Sequence, residues 1–552
     1  MEPEPATNTQ LTRRVEIALL LGVVVLLFCS RLGAFGFLGA DEPRYAQVAR
    51  EMLDRNDWVT PVLYGQPWLE KPIALYWGEM VSYKLFGVSD AAARLPVALT
   101  ASLMVVFVFF WLKRFRPEAR LDGALMVASA ALVIGMSRAA TTDMVLGAPL
   151  AIALLAWFAW YESGNRGWLA LYYAMAGMGM LAKGPVAPFF AGVIVAAFCL
   201  FTRDLKRLLG TLWIPGILVF CAVALPWYAL VQHRTPEFFN VFILQHNLAR
   251  FGSNAFRHRQ PFWYYLPVML AATAPWTVFV VAAALRTIRH ARNAWRNTEH
   301  LDAYPAFLLL WMIIPPLFFS FSQSKLPGYV LPALPAAMLL AADYIHRKAA
   351  ESEQIPFWMA GMHALLLAML AAALMFMPAM LLKVPATTQA IMLSAFAGTT
   401  VLAGVLLALF LRGWRMLRFA TLLPLVLMVS FVLRTVGPVI DNTQSARPVA
   451  RLLASVGVQP FETVYTFKVR RDMAFGLSFY RNSFVDAYEG LEISPGQRYT
   501  LAFVPRKAHV LVTRDDSLDD LQLLFPPREW TIRPLGYFRP QRLAIYEVAP
   551  VK

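Results

Sequence analysis

The chain has 552 residues, of which 59% are hydrophobic and only 15% are charged. Soluble globular domains carry about 25% charged residues, so this composition excludes an ordinary soluble protein and predicts an integral membrane protein. The formal net charge is +16. Because the basic residues cluster between apolar runs, a membrane topology explains this charge better than nucleic-acid binding does.

Apolar runs long enough to cross a hydrocarbon core of about 30 Å recur from residue 17 to residue 433. We count about thirteen of these runs. Basic clusters precede the first run and then follow every second run. The positive-inside rule places those basic loops and the N-terminus in the cytoplasm, and it places the chain after about Gly437 outside.

The chain is predicted to have two parts, a transmembrane catalytic domain over residues 1–436 and an external domain over 437–552. Two outward loops are long, about 30–95 and 232–263, and long loops often carry function. The first loop contains two amphipathic patterns, one capped by Asp41 and one following Pro72. Both patterns predict helices that lie along the membrane surface.

After about Gly437 the apolar runs stop and short β-rich segments appear at 463–467, 510–513 and 542–547, with a helical pattern at 448–453. This pattern indicates an α/β domain. The predicted fold is therefore an α-helical polytopic membrane protein with about thirteen transmembrane helices, interfacial helices in the first external loop and a C-terminal α/β soluble domain.

Acidic, basic and other polar residues gather on the outer loops. Each has an ordinary explanation when taken singly, as a helix cap, a solvated ion pair or a lipid headgroup contact. Acids and bases on loops that converge at one face of a bundle together predict a binding or catalytic site. Cations stabilise a departing phosphate, and Lys71, Lys183, Arg250 and Lys325 are the candidates. Asp41 and then Asp143 are the candidate carboxylates for aligning or deprotonating an acceptor.

Several segments in order resemble the bacterial lipid A aminoarabinose transferases, which share a wider superfamily with the protein O-mannosyltransferases. They are Ala-Asp-Glu-Pro-Arg-Tyr-Ala at 40–46, Glu-Lys-Pro-Ile at 70–73, residues 246–251, residues 258–265 and Lys-Leu-Pro-Gly-Tyr at 325–329. The resemblance implies an inverting-type glycosyltransferase with undecaprenyl-phosphate-linked 4-amino-4-deoxy-L-arabinose as donor, a lipid A phosphate as acceptor and no nucleotide cofactor.

The resemblance also implies roles for individual residues. An acid in the first external loop is the expected catalytic position, which corresponds to Asp41. The expected catalytic residues are Asp41, Asp143 and Lys71, and the expected substrate-binding residues are Arg44, Tyr45, Lys183, Arg250, Lys325 and Tyr329. A divalent metal near the site makes Glu70 and His246 the candidate ligands, with zinc favoured over manganese.

Two roles remain open for Asp41. A lipid A phosphate is already largely anionic near neutral pH, so orientation matters more than deprotonation, and Asp41 would then position Arg44 or Lys71. If the acceptor were a serine or threonine hydroxyl, Asp41 would act as a general base.

Two other functions compete with this one. The first is a related polyprenyl-phosphate-sugar transferase that acts on a protein or another glycolipid. The second, a secondary transporter, is disfavoured because the spans carry few embedded charges and show no paired halves. The lead hypothesis places a monomeric enzyme in the bacterial inner membrane with its site facing the periplasm. Adding a cationic sugar to lipid A would lower the negative surface potential and give resistance to polymyxin and cationic peptides.

Overall fold

The computed structural model describes residues 6–242, 260–297, 301–351, 354–382, 398, 402, 413–494, 497–498 and 500–551. Most of these residues are helical, and a smaller sheet-containing domain follows the helical part. Among the described residues, six helices are long and apolar enough to cross a membrane, or eight if each of two bent helix pairs counts as one span. The chain is therefore a polytopic membrane protein, and the count of about thirteen spans stays a prediction.

The helical part is built from eighteen described α-helices. They are α1 (Ala6–Val24), α2 (Asp41–Asp54), α3 (Ala74–Phe86), α4 (Asp90–Phe115), α5 (Arg120–Ser129), α6 (Ala131–Ser137), α7 (Thr142–Ser163), α8 (Arg166–Lys183), α9 (Val186–Phe201), α10 (Leu205–Thr211), α11 (Ile214–Arg234), α12 (Tyr265–Ala272), α13 (Thr277–Asn297), α14 (Ala303–Ser320), α15 (Leu334–Glu351), α16 (Phe357–Leu382), α17 (Trp414–Phe431) and α18 (Gly437–Gln444). Two π-helical turns, Val25–Cys29 and Val432–Val436, extend α1 and join α17 to α18. Some of the apolar runs form helices too short or too bent to count singly as spans, for example α9 and the pair α5 and α6.

Helix α2 forms in the first long loop, as the apolar pattern predicts. Its predicted apolar face, including Tyr45, Val48 and Met52, is buried. The prediction that Asp41 caps this helix was wrong: the N-cap residue is Ala40, and the Asp41 carboxylate pairs with Arg44 instead. Two acids in the first turn still suit the partial positive charge of a helix N-terminus.

Helix α3 packs on α2 and holds the segment between them in place. The hydroxyl of Tyr83 donates to the carbonyl of Ala46 at 3.3 Å. A two-stranded hairpin, β1 (Val62–Leu63) and β2 (Gln66–Pro67), returns the chain towards α2. Just after it, the indole of Trp68 donates to the hydroxyl of Tyr76 at 3.0 Å. Residues 68–71 are thereby fixed between the two helices.

A buried network fixes the N-terminal end of α2. The guanidinium of Arg94, from α4, donates to the carbonyls of Leu32, Phe35 and Gly36. The carboxylate of Glu42 accepts from the backbone N–H groups of Leu38 and Ala140, both at 2.9 Å. Because Ala140 precedes α7, this network joins the first loop to the start of α7.

The C-terminal domain contains a five-stranded mixed sheet with the strand order β4-β3-β7-β9-β8. Its elements are α19 (Arg447–Ser455), β3 (Val464–Phe467), α20 (Arg471–Arg481), β4 (Val485–Ala487), β5 (Glu492–Ser494), β6 (Gln497–Arg498), β7 (His509–Arg514), α21 (Leu518–Leu524), β8 (Trp530–Phe538) and β9 (Leu543–Pro550). Strand β3 runs parallel to β4 and β7, whereas β9 is antiparallel to β7 and β8. These elements confirm the predicted strands near 463, 510 and 542 and the predicted helix near 448. The helical segment Leu417–Gln444 extends through the boundary predicted at Gly437.

Ion pairs and hydrogen bonds attach the C-terminal domain to the first loop. Arg447 pairs with Asp90 of α4 at 2.7 Å and with Asp441 at 2.8 Å. Asp441 also accepts from the backbone N–H of Gly36 at 2.7 Å. The hydroxyl of Tyr480 donates to Asp90 at 2.5 Å. The C-terminal domain is therefore tied to the segment that carries α2.

Candidate active site

A cavity of about 680 Å³ lies where the first loop, the start of α7, the end of α8, the segment before α15 and the C-terminal domain meet. Eight of the eleven residues that the sequence predicts for the site line this cavity: Asp41, Arg44, Tyr45, Glu70, Lys71, Asp143, Lys183 and Tyr329. Their individual roles stay predictions, but the fold brings them together from four separate parts of the chain.

One wall of the cavity carries a cluster around Arg44. The guanidinium pairs with Asp41 and lies 3.9 Å from a carboxylate oxygen of Glu70, and it stacks 5.4 Å from the ring of Trp68. Burial alone would lower the pKa of Arg44, but the negative charges of Asp41 and Glu70 raise it above its ordinary value. Arg44 therefore stays charged. Its partner Asp41 keeps about half of its side chain exposed, 53%, towards the cavity.

Lys71 and Tyr45 lie beside this cluster. The Lys71 ammonium is 3.3 Å from a carboxylate oxygen of Glu70, and both residues are buried. Burial, assisted by the charge of Asp41, raises the pKa of Tyr45 well above its ordinary value. The Tyr45 hydroxyl is therefore protonated at neutral pH and can donate a hydrogen bond.

The cavity is also lined by the ion pair of Asp143 and Lys183, in which the Lys183 Nζ and Asp143 Oδ1 atoms are 2.6 Å apart. Asp143 stands in the first turn of α7, and Lys183 is the last residue of α8. Helix α8 ends there because Gly184 adopts a φ of +84°, a backbone conformation that residues with a Cβ atom rarely adopt. The Lys183 ammonium also lies 5.2 Å from the ring centroid of Tyr329.

The segment Lys-Leu-Pro-Gly-Tyr approaches Asp143 closely. A Cβ atom at Gly328 would lie 3.4 Å from the Asp143 carboxylate and 3.1 Å from the methyl group of Met136, so the backbone at Gly328 packs directly against Asp143. Lys325, predicted to bind substrate, does not line the cavity. It is buried, and its ammonium donates to the carbonyl of Ser322 at 2.7 Å. The sequence motif therefore places Tyr329, and not Lys325, at the cavity wall.

The metal site predicted at Glu70 and His246 stays a prediction, because His246 lies outside the described residues, as do Arg250 and His258. No group of three or more metal-ligating side chains occurs among the residues that are described. The Glu70 carboxylate faces two cations, Lys71 and Arg44, and such neighbours compete with a divalent ion for its oxygen atoms.

Sequence reasoning missed two arginines that line the cavity, Arg138 and Arg471. Arg138 follows α6 and donates to the carbonyls of Leu27 and Phe28 in the π-helical turn after α1. A lone arginine five residues before Asp143, between two apolar runs, was a signal that could have drawn attention to it. Arg471 belongs to the C-terminal domain, where nothing in the sequence indicates which side faces the membrane part.

Comparisons with known proteins show which family the chain resembles. Residues 70–229 match the family described as dolichyl-phosphate-mannose-protein mannosyltransferase. An undecaprenyl phosphate-alpha-4-amino-4-deoxy-L-arabinose arabinosyl transferase of Aeromonas hydrophila is 30% identical over 404 residues, which cover 70% of this chain and 71% of that protein. The transferase of the same description from Pseudomonas fluorescens, numbered 1, is 32% identical over 348 residues, 62% of this chain and 61% of its own length.

A solved structure shares the fold. The crystal structure of ArnT from Cupriavidus metallidurans bound to undecaprenyl phosphate superposes with a TM-score of 0.76 and 24% sequence identity, covering 96% of this chain and 97% of that one. The alignment with the Pseudomonas fluorescens relative spans about three fifths of that protein's length.

Proposed function

Because this chain belongs to the family of undecaprenyl phosphate-4-amino-4-deoxy-L-arabinose arabinosyl transferases, we propose that it moves 4-amino-4-deoxy-L-arabinose from undecaprenyl phosphate to a phosphate of lipid A. The observation that carries this proposal is the cavity in which five basic and four acidic side chains meet. Glu42, one of these acids, is bound by Arg94, so the remaining charge on the cavity wall is positive. Such a site suits two phosphate groups, one on the donor and one on the acceptor.

The reaction forms one bond and breaks another at the same sugar carbon. A phosphate oxygen of the acceptor attacks the anomeric carbon from the side opposite the carrier. The bond from that carbon to the undecaprenyl phosphate oxygen breaks, and its electron pair leaves with the carrier phosphate. Lys71 and Lys183 would stabilise the charge that develops on this leaving phosphate. Attack from the opposite side inverts the configuration of the sugar carbon.

Asp41 has an orienting role in this proposal. The acceptor phosphate is a phosphate monoester whose second pKa is about 6, so most of it needs no base at neutral pH. Asp41 is already paired with Arg44, whose charge would help to hold the acceptor phosphate. The carboxylate therefore fixes the guanidinium in one position before the acceptor arrives, which reduces the reorganisation needed for reaction.

An apolar wall beside the charged groups supports a lipid-linked donor. Met428 and Val429 of α17 and Val432 and Leu433 of the following π-helical turn line the cavity. A prenyl chain could pass along these side chains into the membrane while its phosphate stays with the lysines. A soluble nucleotide sugar has no prenyl chain to contact these apolar side chains. We propose that no nucleotide cofactor takes part.

The proposed cellular setting follows from the acceptor. We place the enzyme in the bacterial inner membrane as a monomer, with the cavity and the C-terminal domain facing the periplasm. Each transferred sugar adds an amino cation to an anionic phosphate, so the surface potential of the modified leaflet becomes less negative. Polymyxin and other cationic peptides would then bind less well.

The test is the mass of lipid A from a susceptible bacterial host that lacks its own transferase, with and without this protein expressed. We expect lipid A to gain an aminopentose residue, and we expect the Asp41→Ala variant to give none. Unmodified lipid A from a well-expressed, inserted protein would overturn the proposal. In that case the match over residues 70–229 would direct attention to a protein acceptor.

A further inference from the structure

Arg471 is the only residue after Gln444 that lines the cavity among the described residues. It is the first residue of α20 and is exposed. Two other basic residues precede it closely in sequence. Lys468 pairs with Asp520 at 2.6 Å and Arg470 pairs with Asp472 at 2.8 Å. Within the part of the chain that the structure describes, Arg471 makes no such pair.

The packing of α20 turns Arg471 towards the first loop. Residues four apart lie on one face of a helix, so Arg471 and Phe475 share a face. The ring of Phe475 lies 5.3 Å from the Arg44 guanidinium, which pairs with Asp41. One turn further on, Arg50 of α2 donates to the carbonyl of Phe479 at 3.1 Å. The helix is thus fixed along α2, with its N-terminal residue at the cavity.

The cations of the cavity come from two parts of the chain. Lys71 and Lys183, from the membrane part, are each close to a carboxylate. Arg471 enters from the soluble domain, away from these lysines along the chain, and begins a helix of eleven residues. The partial positive charge of that helix end adds to the arginine charge. Asp472 in the same turn is balanced by Arg470.

We propose that Arg471 binds the phosphate monoester of the acceptor, so that the C-terminal domain supplies part of the acceptor site. This inference rests on the proposed function and adds the position of the acceptor to it. The donor phosphate lies with Lys71 and Lys183, and the acceptor phosphate lies between Arg44 and Arg471. An arginine suits this position because its planar guanidinium donates two parallel hydrogen bonds to a phosphate.

The experiment compares the full-length wild-type protein with Arg471→Ala, Arg471→Lys and the matched control Arg470→Ala. Arg470 is the neighbouring arginine, is well exposed and does not line the cavity. Transfer is measured in detergent at saturating donor while the lipid A concentration is varied. We expect Arg471→Ala to raise the KM for lipid A about tenfold, the effect of losing one charge-assisted hydrogen bond. The KM of Arg471→Lys should lie between those of the wild type and Arg471→Ala, and the KM of Arg470→Ala should equal that of the wild type.

A second readout separates acceptor binding from turnover. The affinities for lipid A and for undecaprenyl phosphate are measured in an Asp41→Ala background, in which we expect no transfer. The proposal predicts weaker binding of lipid A, but not of undecaprenyl phosphate, when Arg471 is also replaced by alanine. Equal effects of the Arg471 and Arg470 replacements on lipid A binding would overturn it, as would a loss of undecaprenyl phosphate binding.

These readouts also separate this inference from the proposed function. If the wild-type protein transferred no sugar to lipid A and bound no lipid A, both would fail together. If it transferred the sugar and Arg471→Ala left the KM for lipid A unchanged, only the role of Arg471 would fail. An anionic phosphate at Arg471 could belong to lipid A or to a bulk membrane phospholipid. Competition by phosphatidylglycerol vesicles distinguishes these two sources. Equal displacement of lipid A by these vesicles would assign Arg471 to bulk membrane lipid and overturn the acceptor site.

Discussion

The Arg94 guanidinium donates to both carboxylate oxygens of Glu42, each at 2.8 Å, and the side chains of both residues are buried. Residues from the first loop, α4 and the segment before α7 meet at this pair. Because Glu42 follows Asp41 directly, the pair fixes the position of the first turn of α2. Glu42 lines the cavity, whereas Arg94 does not, so the pair anchors the cavity wall from behind.

Replacing Arg94 by alanine would leave the Glu42 carboxylate buried without its main partner. We expect a loss of about 3 to 5 kcal/mol in the free energy of unfolding, the usual effect of breaking a buried pair. Thermal unfolding in detergent checks this. Arg286→Ala, which removes a largely exposed pair with Glu351, is the control and should change stability by less than about 1 kcal/mol. Equal melting temperatures for the two variants would contradict the assignment.

The pair of Asp143 and Lys183 predicts opposite effects on donor affinity. Lys183→Ala removes a cation from the cavity and should weaken binding of undecaprenyl phosphate by about tenfold or more. Asp143→Asn removes the competing negative charge, so binding of the donor should be retained or tighten while turnover falls. Direct binding measurements together with transfer rates check both. Weakened donor binding in Asp143→Asn, comparable with that of Lys183→Ala, would show that Asp143 contacts the donor itself.

Asp41 is expected to orient Arg44, and asparagine keeps an oxygen that can accept a hydrogen bond from it. Asp41→Asn should therefore retain more transfer activity than Asp41→Ala. A general base typically contributes a factor of about 10² to 10⁴ to the rate. An orienting role therefore predicts that Asp41→Asn lowers the transfer rate by less than about a hundredfold. Steady-state transfer to lipid A measures this. If the asparagine and alanine variants were equally inactive, Asp41 would be the proton acceptor instead.

Metal removal tests the ligand prediction for Glu70 and His246. The described part of the cavity presents lysine and arginine cations to a phosphate, and Glu70 already faces two of them. We therefore expect exhaustive dialysis against a chelator to leave the affinity for undecaprenyl phosphate unchanged. The opposite result would be a loss of affinity on dialysis that added zinc restores. If zinc did not restore the affinity of a Glu70→Gln variant, a metal would lie between the predicted ligands.

His509 gives the C-terminal domain a dependence on pH. Its Nδ1 atom lies 2.6 Å from the carbonyl of Lys507, and its Nε2 atom contacts the hydroxyl of Tyr488. Burial lowers the pKa of His509 below its ordinary value of 6.5, although the hydrogen bond to Lys507 opposes this. Below about pH 6.5 the unfolded chain therefore binds a proton more readily than the folded chain, and stability falls as the pH decreases.

The expected loss from His509 is at most about 1.4 kcal/mol for each pH unit below 6.5. Thermal unfolding of the full-length protein between pH 7.5 and pH 5.5 measures it, with His509→Gln as the comparison. The glutamine variant should lose less stability over this range than the wild type. A drop of the same size in both proteins would assign the pH dependence to other groups.

The apolar patterns and the loop motifs allowed much of this arrangement to be predicted from sequence. The helix after Asp41 and the segment at Glu70 and Lys71 depend on local signals, whereas the pairing of Asp143 with Lys183 joins residues 40 positions apart and was not predicted. The motif did not show that Lys325 is buried, because its ammonium turns back to the carbonyl of Ser322, three residues earlier, and the motif does not specify the direction of the side chain. Arg471 was equally hidden, since only the docking of α20 onto α2 brings it to the cavity.

The link between Arg447 and Asp90 joins residues that are 357 positions apart in the chain. At about 5 to 20 residues per second, ribosomes complete this interval in roughly 20 to 70 seconds. During that time the first loop has already left the ribosome, but its attachment to the C-terminal domain cannot yet form. Membrane insertion must therefore keep an unfinished loop in place until the last domain arrives. A prematurely terminated chain could insert its early spans and still lack Arg447, which attaches the C-terminal domain to Asp90.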